Sequence, residues 1–161
     1  VQTCALPIYC AVMESPTNSQ CEKNWIPVPG TDDIVYRWYP LEVGQLKGSQ
    51  LDITTTHATP WFFQHLRGSA CPVRIANDLL CLVHFVEYTQ PRKYYHCVVA
   101  LDATSYTPLR ISLPFVFAAP GIEYCIGVSL IGQALDCTFS SWDDNPRSTT
   151  IPIASLQWIA L

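Results

Sequence analysis

Seven side chains carry most of the chemistry open to this sequence: Lys23, Asn24, Arg67, His84, Glu123, Trp142 and Asp143. Trp142 stands next to Asp143, which puts a flat ring beside a carboxylate, although Asp143-Asp144-Asn145-Pro146 reads equally well as a plain turn. Arg67 precedes Gly68, and a glycine lets a ligand come close to the backbone, so Arg67 is a candidate donor to an anion. Lys23 and Asn24 offer an ammonium and an amide side by side; their bland alternative is a surface charge and a turn residue. His84 follows the apolar run Leu80-Cys81-Leu82-Val83 and faces either a ligand or a hydrogen-bonding neighbour at a strand end. Glu123 opens another apolar run after Pro120-Gly121. Buried there, it needs a partner, and Arg67 or Arg74 could supply one.

Other chemistries lack support. His57, His65 and His96 show no H-x-x-x-H spacing and no C-x-x-C occurs, so neither a metal site nor a redox motif is indicated, and no cofactor is implied. A Ser-His-Asp or Cys-His triad has nothing behind it beyond the presence of those residue types. Nine Lys and Arg against thirteen Asp and Glu give a net charge of -4, which argues against nucleic acid as a partner. Arg92-Lys93 before Tyr94-Tyr95 is too small a basic patch to change that. No apolar stretch reaches the 18 residues of a spanning helix. Cys81, Cys97, Cys125 and Cys137 sit inside apolar runs and read as small buried hydrophobes, which suits a reducing compartment such as the cytoplasm. A disulfide framework in a secreted protein is the rival reading.

The elements that must position these residues are strands. Only 14% of the 161 residues are charged and 49% are hydrophobic, which excludes disorder. Sustained helical periodicity is missing. Runs rich in Val, Ile, Tyr, Phe and Thr recur over residues 33–39, 51–56, 70–75, 79–88, 94–101, 110–117, 122–130, 135–142 and 150–158. Turn formers separate them, and Ala76-Asn77-Asp78 and Ile131-Gly132-Gln133 read as hairpin turns. The spacing predicts an all-β fold of antiparallel sheets in three groups, 22–57, 68–117 and 122–158, within a domain spanning 21–161. Three or four strands per group is the content of a propeller blade, and a β-sandwich gives the same strand count. Residues 9–20 read as a linker. Residues 1–8 resemble a sequencing adapter translated as protein, so the chain is expected to be a piece of a longer gene.

Six segments in order suggest a family: Glu22-Lys23-Asn24-Trp25-Ile26-Pro27, Leu66-Arg67-Gly68-Ser69-Ala70-Cys71-Pro72-Val73, Leu80-Cys81-Leu82-Val83-His84, Arg92-Lys93-Tyr94-Tyr95-His96 running on to Asp102, Gly121-Ile122-Glu123-Tyr124, and Phe139-Ser140-Ser141-Trp142-Asp143-Asp144. Together they resemble the C-terminal part of five-bladed β-propeller carbohydrate-active proteins. The nearest resemblance is to the β-mannoside phosphorylase and mannosidase family, with a likeness also to propeller domains of giant viruses and algae, some fused to glycosyltransferases. It covers about residues 21 to 155. It implies an axial pocket that takes a carbohydrate, with inorganic phosphate as a possible second ligand and a fused glycosyltransferase domain as a possible partner. His84 matches a Tyr-His position, with Val83 in place of the Tyr, and would line the donor site or hold phosphate. Asp143 matches the Asp of a Tyr-Gly-x-x-Asp strand that contacts sugar hydroxyls, although the Tyr-Gly is replaced here. Trp142 would be the ring platform, Glu123 would stand at the channel mouth, and Lys23 and Asn24 match a Lys-Asn segment. The Asp-Pro-Arg strand that carries the family's general acid is absent, and Asn145-Pro146-Arg147 is only an echo. The resemblance therefore implies about three of five blades, sugar binding without turnover by this chain alone, and cleavage, phosphorolysis or transfer by a longer protein. The alternative is a non-catalytic glycan-binding or interaction domain.

Overall fold

The computed structural model describes residues 12–17, 19 and 21–161. Residues 1–8, read as adapter, lie outside the described residues. Of the stretch read as a linker, Glu14 makes a backbone bridge to Gln50.

The chain is all-β. Thirteen strands form three antiparallel sheets among the described residues. The first sheet is a meander of β1 (Ile26–Pro27), β2 (Asp33–Trp38), β3 (Leu41–Lys47) and β4 (Gln50–His57). A 3₁₀ turn over Trp61–His65 leads into the central sheet. There β5 (Arg67–Gly68) and β6 (Val73–Ile75) pair with opposite ends of β7 (Asp78–Glu87), followed by β8 (Lys93–Asp102) and β9 (Pro108–Ser112). The third sheet contains β10 (Glu123–Ile131), β11 (Ala134–Ser141) and β12 (Asn145–Pro152). The last strand, β13 (Trp158–Ala160), leaves this group and pairs with β9 at the edge of the central sheet. Among the described residues no sheet closes into a barrel.

Strand alternation explains the stacking. Successive side chains of a strand point to opposite faces. On β7 and β8, Leu79, Cys81, Val83, Cys97, Val99 and Leu101 face the first sheet, where they meet Val35, Trp38, Leu41 and Val43. Leu80, Leu82, Val98 and Ala100 face the third sheet, where they meet Cys125, Leu135, Cys137 and Phe139. The central sheet is thus covered on both faces, and for that reason its strands read as unbroken apolar runs. The four strand cysteines are buried free thiols, whereas Cys21 and Cys71 are exposed.

Turn chemistry sets the registers. Ile131 pairs with Ala134 across Gly132-Gln133, and Gly132 takes φ 59°. That left-handed value suits a two-residue hairpin and glycine carries it without strain. Ile75 pairs with Asp78 across Ala76-Asn77 in the same way, with Ala76 at φ 52°.

Candidate functional site

The leading edges of the three sheets meet. Lys23 and Asn24 run directly into β1, Arg67 and Gly68 form β5, and Glu123 and Tyr124 open β10. Gly68 makes the first contact possible: a Cβ there would stand 2.4 Å from Ile26 Cγ1 and 2.5 Å from the Asn24 carbonyl oxygen. Only a residue without a side chain lets the two backbones approach this closely. Asn24 has φ 63°, a left-handed conformation that asparagine tolerates better than most residues. Its amide nitrogen donates to the Tyr124 hydroxyl at 3.3 Å and so ties the first sheet to the third.

His84 lies under this junction. It pairs in register with Arg67 on one side and His96 on the other. Tyr124 meets its ring edge-to-face, with centroids 5.4 Å apart and planes at 76°. Tyr94 stacks on it at 5.6 Å. Ser69 Oγ lies 2.9 Å from His84 Nδ1. Burial, reinforced by the positive charges of Arg67 and Lys23, pushes the His84 pKa down to about 4, so the ring is neutral at pH 7. The Ser69 hydroxyl fixes the orientation of the ring, and which of the two atoms donates follows from the His84 tautomer. Neither Lys23 nor Arg67 forms an ion pair among the described residues. The Arg67 guanidinium donates to the Tyr88 hydroxyl at 2.9 Å. A cavity of about 270 Å³ adjoins them, walled by Lys23, Asn24, Arg67, Gly68 and the rings of Tyr36 and Trp38.

Four of the seven sequence candidates, Lys23, Asn24, Arg67 and His84, are therefore brought to one place. Glu123 has a different task. It is buried, and its partners are neither Arg67 nor Arg74. Its carboxylate accepts backbone N–H groups from Phe117 at 2.8 Å, Ala118 at 2.9 Å and Ala119 at 3.1 Å, which fixes the connection from the central to the third sheet. Arg74 instead donates to the Ala103 carbonyl. Behind Glu123 lies His96, fully buried, with Nε2 4.0 Å from the carboxylate and its ring 4.3 Å from that of Phe117. Burial lowers its pKa to about 3, so this contact is not an ion pair.

Trp142 and Asp143 form the β11–β12 turn, both at positive φ. Trp142 packs on Gly121, whose carbonyl accepts from the Tyr94 N–H, and 53% of the residue is exposed. Asp143 is exposed. Trp142 thus borders the Tyr94 side of the junction.

Sequence reasoning missed Ser69, Tyr94 and Tyr124. Tyr94 lies two positions before His96 on the same face of β8, which places it diagonally across from His84, within reach of an aromatic ring. That signal was available; the approach of Tyr124 from another sheet was not. Comparison of the chain with protein-family models, with curated proteins and with solved structures finds no match. Among the described residues no cluster of three or more His, Cys, Asp or Glu forms a metal site, and no helix is long and apolar enough to cross a membrane.

Proposed function

We propose that the three sheets are consecutive blades of a five-bladed β-propeller similar to the β-mannoside phosphorylase and mannosidase family, and that the junction of their leading edges binds a glycoside. The observation that carries this reading is the Asn24–Tyr124 hydrogen bond over His84, which joins the entry to the first sheet, the central sheet and the opening strand of the third at one point. In a propeller the first strand of each blade lines the axis, and ligands collect there. A sheet covered on both faces between two others is the packing that a middle blade requires.

The chemistry suits a sugar. A pyranose presents hydroxyls around an apolar ring face, so it needs amides, charged donors and an aromatic surface together. Asn24, Arg67 and Lys23 supply the first two at the cavity wall, and the exposed ring of Tyr39, beside the buried Tyr36 and Trp38, supplies the third; His84 stands buried next to Arg67. Lys23 and Arg67 also favour an anionic second ligand such as inorganic phosphate.

Binding is favoured over turnover by this chain. Glycoside hydrolysis needs two carboxylates across the scissile bond. Glu123 is engaged by three backbone amides, and Asp143 sits on an exposed turn. The test is calorimetric titration with mannose and β-1,4-mannobiose, with and without inorganic phosphate. Saturable binding that weakens at least fivefold in Arg67→Ala, which lines the cavity, supports the reading. Absence of binding to both sugars overturns it.

A further inference from the structure

Phe85 on β7, Cys97 on β8, Ile111 on β9 and Ile159 on β13 line a second cavity of about 270 Å³. They share the face of the central sheet that meets the first: Phe85 lies two positions after Val83, and Ile159 pairs in register with Ile111. Phe62, His65 and Leu66, in and just after the 3₁₀ turn, form the other wall. That turn separates the two cavities, since Gln64 lines the one beside Lys23 and His65 lines this one. We propose that this second cavity binds an apolar molecule of two fused rings. The proposal does not depend on the glycoside reading.

The wall chemistry selects the ligand. Only His65, Cys97 and Ser112 bring polar side-chain atoms to it. The Ser112 hydroxyl is already engaged: it accepts the Val98 N–H at 2.9 Å and donates to the Leu113 carbonyl at 3.0 Å. Burial pushes the Cys97 thiol up to about 12, so it is a neutral, weak donor. His65 remains, exposed at the rim, where Trp61 meets its ring edge-on with centroids 6.1 Å apart. A sugar would lose water from many hydroxyls here and regain one partner. A peptide segment, with an N–H and a C=O on nearly every residue, meets the same deficit. An apolar ring has no such groups to satisfy. Size follows from comparison: a cavity of about 150 Å³ lined by Leu, Ile and Phe takes one benzene, and this one offers about twice that volume.

The cavity is also reachable and stiff. Its floor is buried at Leu66, Cys97 and Ile111, whereas Ile159 is 52% exposed and Phe62 and Phe85 are half-buried. Phe85 stacks on Tyr95 at 5.3 Å, and Phe62 packs on Phe63 at 5.1 Å. Side chains held in this way lose little freedom when a ring seats against them.

The test is calorimetric titration of the full chain with indole, with benzene as the smaller probe, joined to amide NMR spectra. Indole should bind once per chain, at least five times more tightly than benzene, and shift the amides of Phe85, Cys97, Ile111 and Ile159. Ile159→Trp fills the cavity from the chain itself and should weaken indole at least tenfold without lowering the thermal melt. If that variant does not fold, Phe62→Ala decides, with an expected loss of at least fivefold. Absence of saturable indole binding, or binding that the folded variant leaves unchanged, overturns the proposal. So does a dimer in sedimentation that Ile159→Asp dissociates, because a second copy then covers the cavity. Whether mannose binds has no bearing on any of these outcomes.

Discussion

Asn24 and Tyr124 are 100 positions apart in the chain and 3.3 Å apart in space, amide to hydroxyl. The bond joins the segment before the first sheet to the opening strand of the third, and the Tyr124 ring carries the contact on to His84. Tyr124→Phe removes the hydroxyl and keeps the ring. Sugar affinity should fall about three- to tenfold in calorimetry, while stability in a urea titration should change by roughly 1 kcal/mol or less, the usual net worth of one such bond. Equal affinity for both proteins would show that the junction does not contact the ligand.

Glu123 should matter for folding rather than for binding. Glu123→Gln replaces a charged acceptor of three backbone N–H bonds with a neutral amide that has a single acceptor oxygen. Hydrogen bonds to charged groups contribute about 1.5–3 kcal/mol each, so a loss of roughly 2–4 kcal/mol is expected in the unfolding free energy from a urea titration. A melt unchanged from the parent would contradict the role of Glu123 as the clamp of the 117–119 connection.

Stability should decline in mild acid. His84 and His96 have folded pKa values pushed down to about 4 and about 3, below the ordinary 6.5, chiefly by burial. Between pH 6.5 and 4 the unfolded chain takes up their protons and the folded chain does not, so stability falls with pH across that window. At pH 5 the loss is about 2 kcal/mol per histidine, on the order of 4 kcal/mol for both. Denaturant titrations at pH 7 and pH 5 measure it, and His96→Phe should reduce the difference by about half.

Thiol labelling should separate two classes. Cys21 and Cys71 are exposed, whereas Cys81, Cys97, Cys125 and Cys137 are buried. Burial pushes the Cys97 thiol up to about 12 and raises that of Cys81 still further. Iodoacetamide at pH 8 followed by peptide mapping should modify the exposed pair within minutes and the four strand cysteines only after denaturant is added. Early modification of Cys81 or Cys97 would show that the central sheet opens.

Gly68 should not tolerate a methyl group. A Cβ there would stand 2.4 Å from Ile26 and 2.5 Å from the Asn24 carbonyl, part of which is rigid backbone. Gly68→Ala should therefore cost about 2 kcal/mol and weaken sugar binding at the same time, because it pushes Asn24 away from Tyr124. A variant as stable as the parent would mean that β1 and β5 can separate freely.

The sequence by itself determined the strand content, most strand positions and the two hairpin turns, since these follow from local alternation and from turn residues such as Gly132. It also marked the central strands, because runs like Leu79–Val83 are apolar at every position only when both faces are covered. It did not reveal β3, Leu41–Lys47, where Gly44 and the polar Glu42, Gln45 and Lys47 dilute the strand signal and pairing on both sides supplies what propensity does not. It placed Trp158 with the third group, whereas β13 crosses back to β9, an edge pairing that no local pattern encodes. At the site, Lys23, Asn24, Arg67 and His84 stood out as polar or charged residues at strand starts and ends. Their convergence, the arrival of Tyr124 above His84, and the engagement of Glu123 by backbone amides were decided by tertiary structure alone. Each depends on how three sheets stack, and stacking is set by the buried faces of strands far apart in the chain.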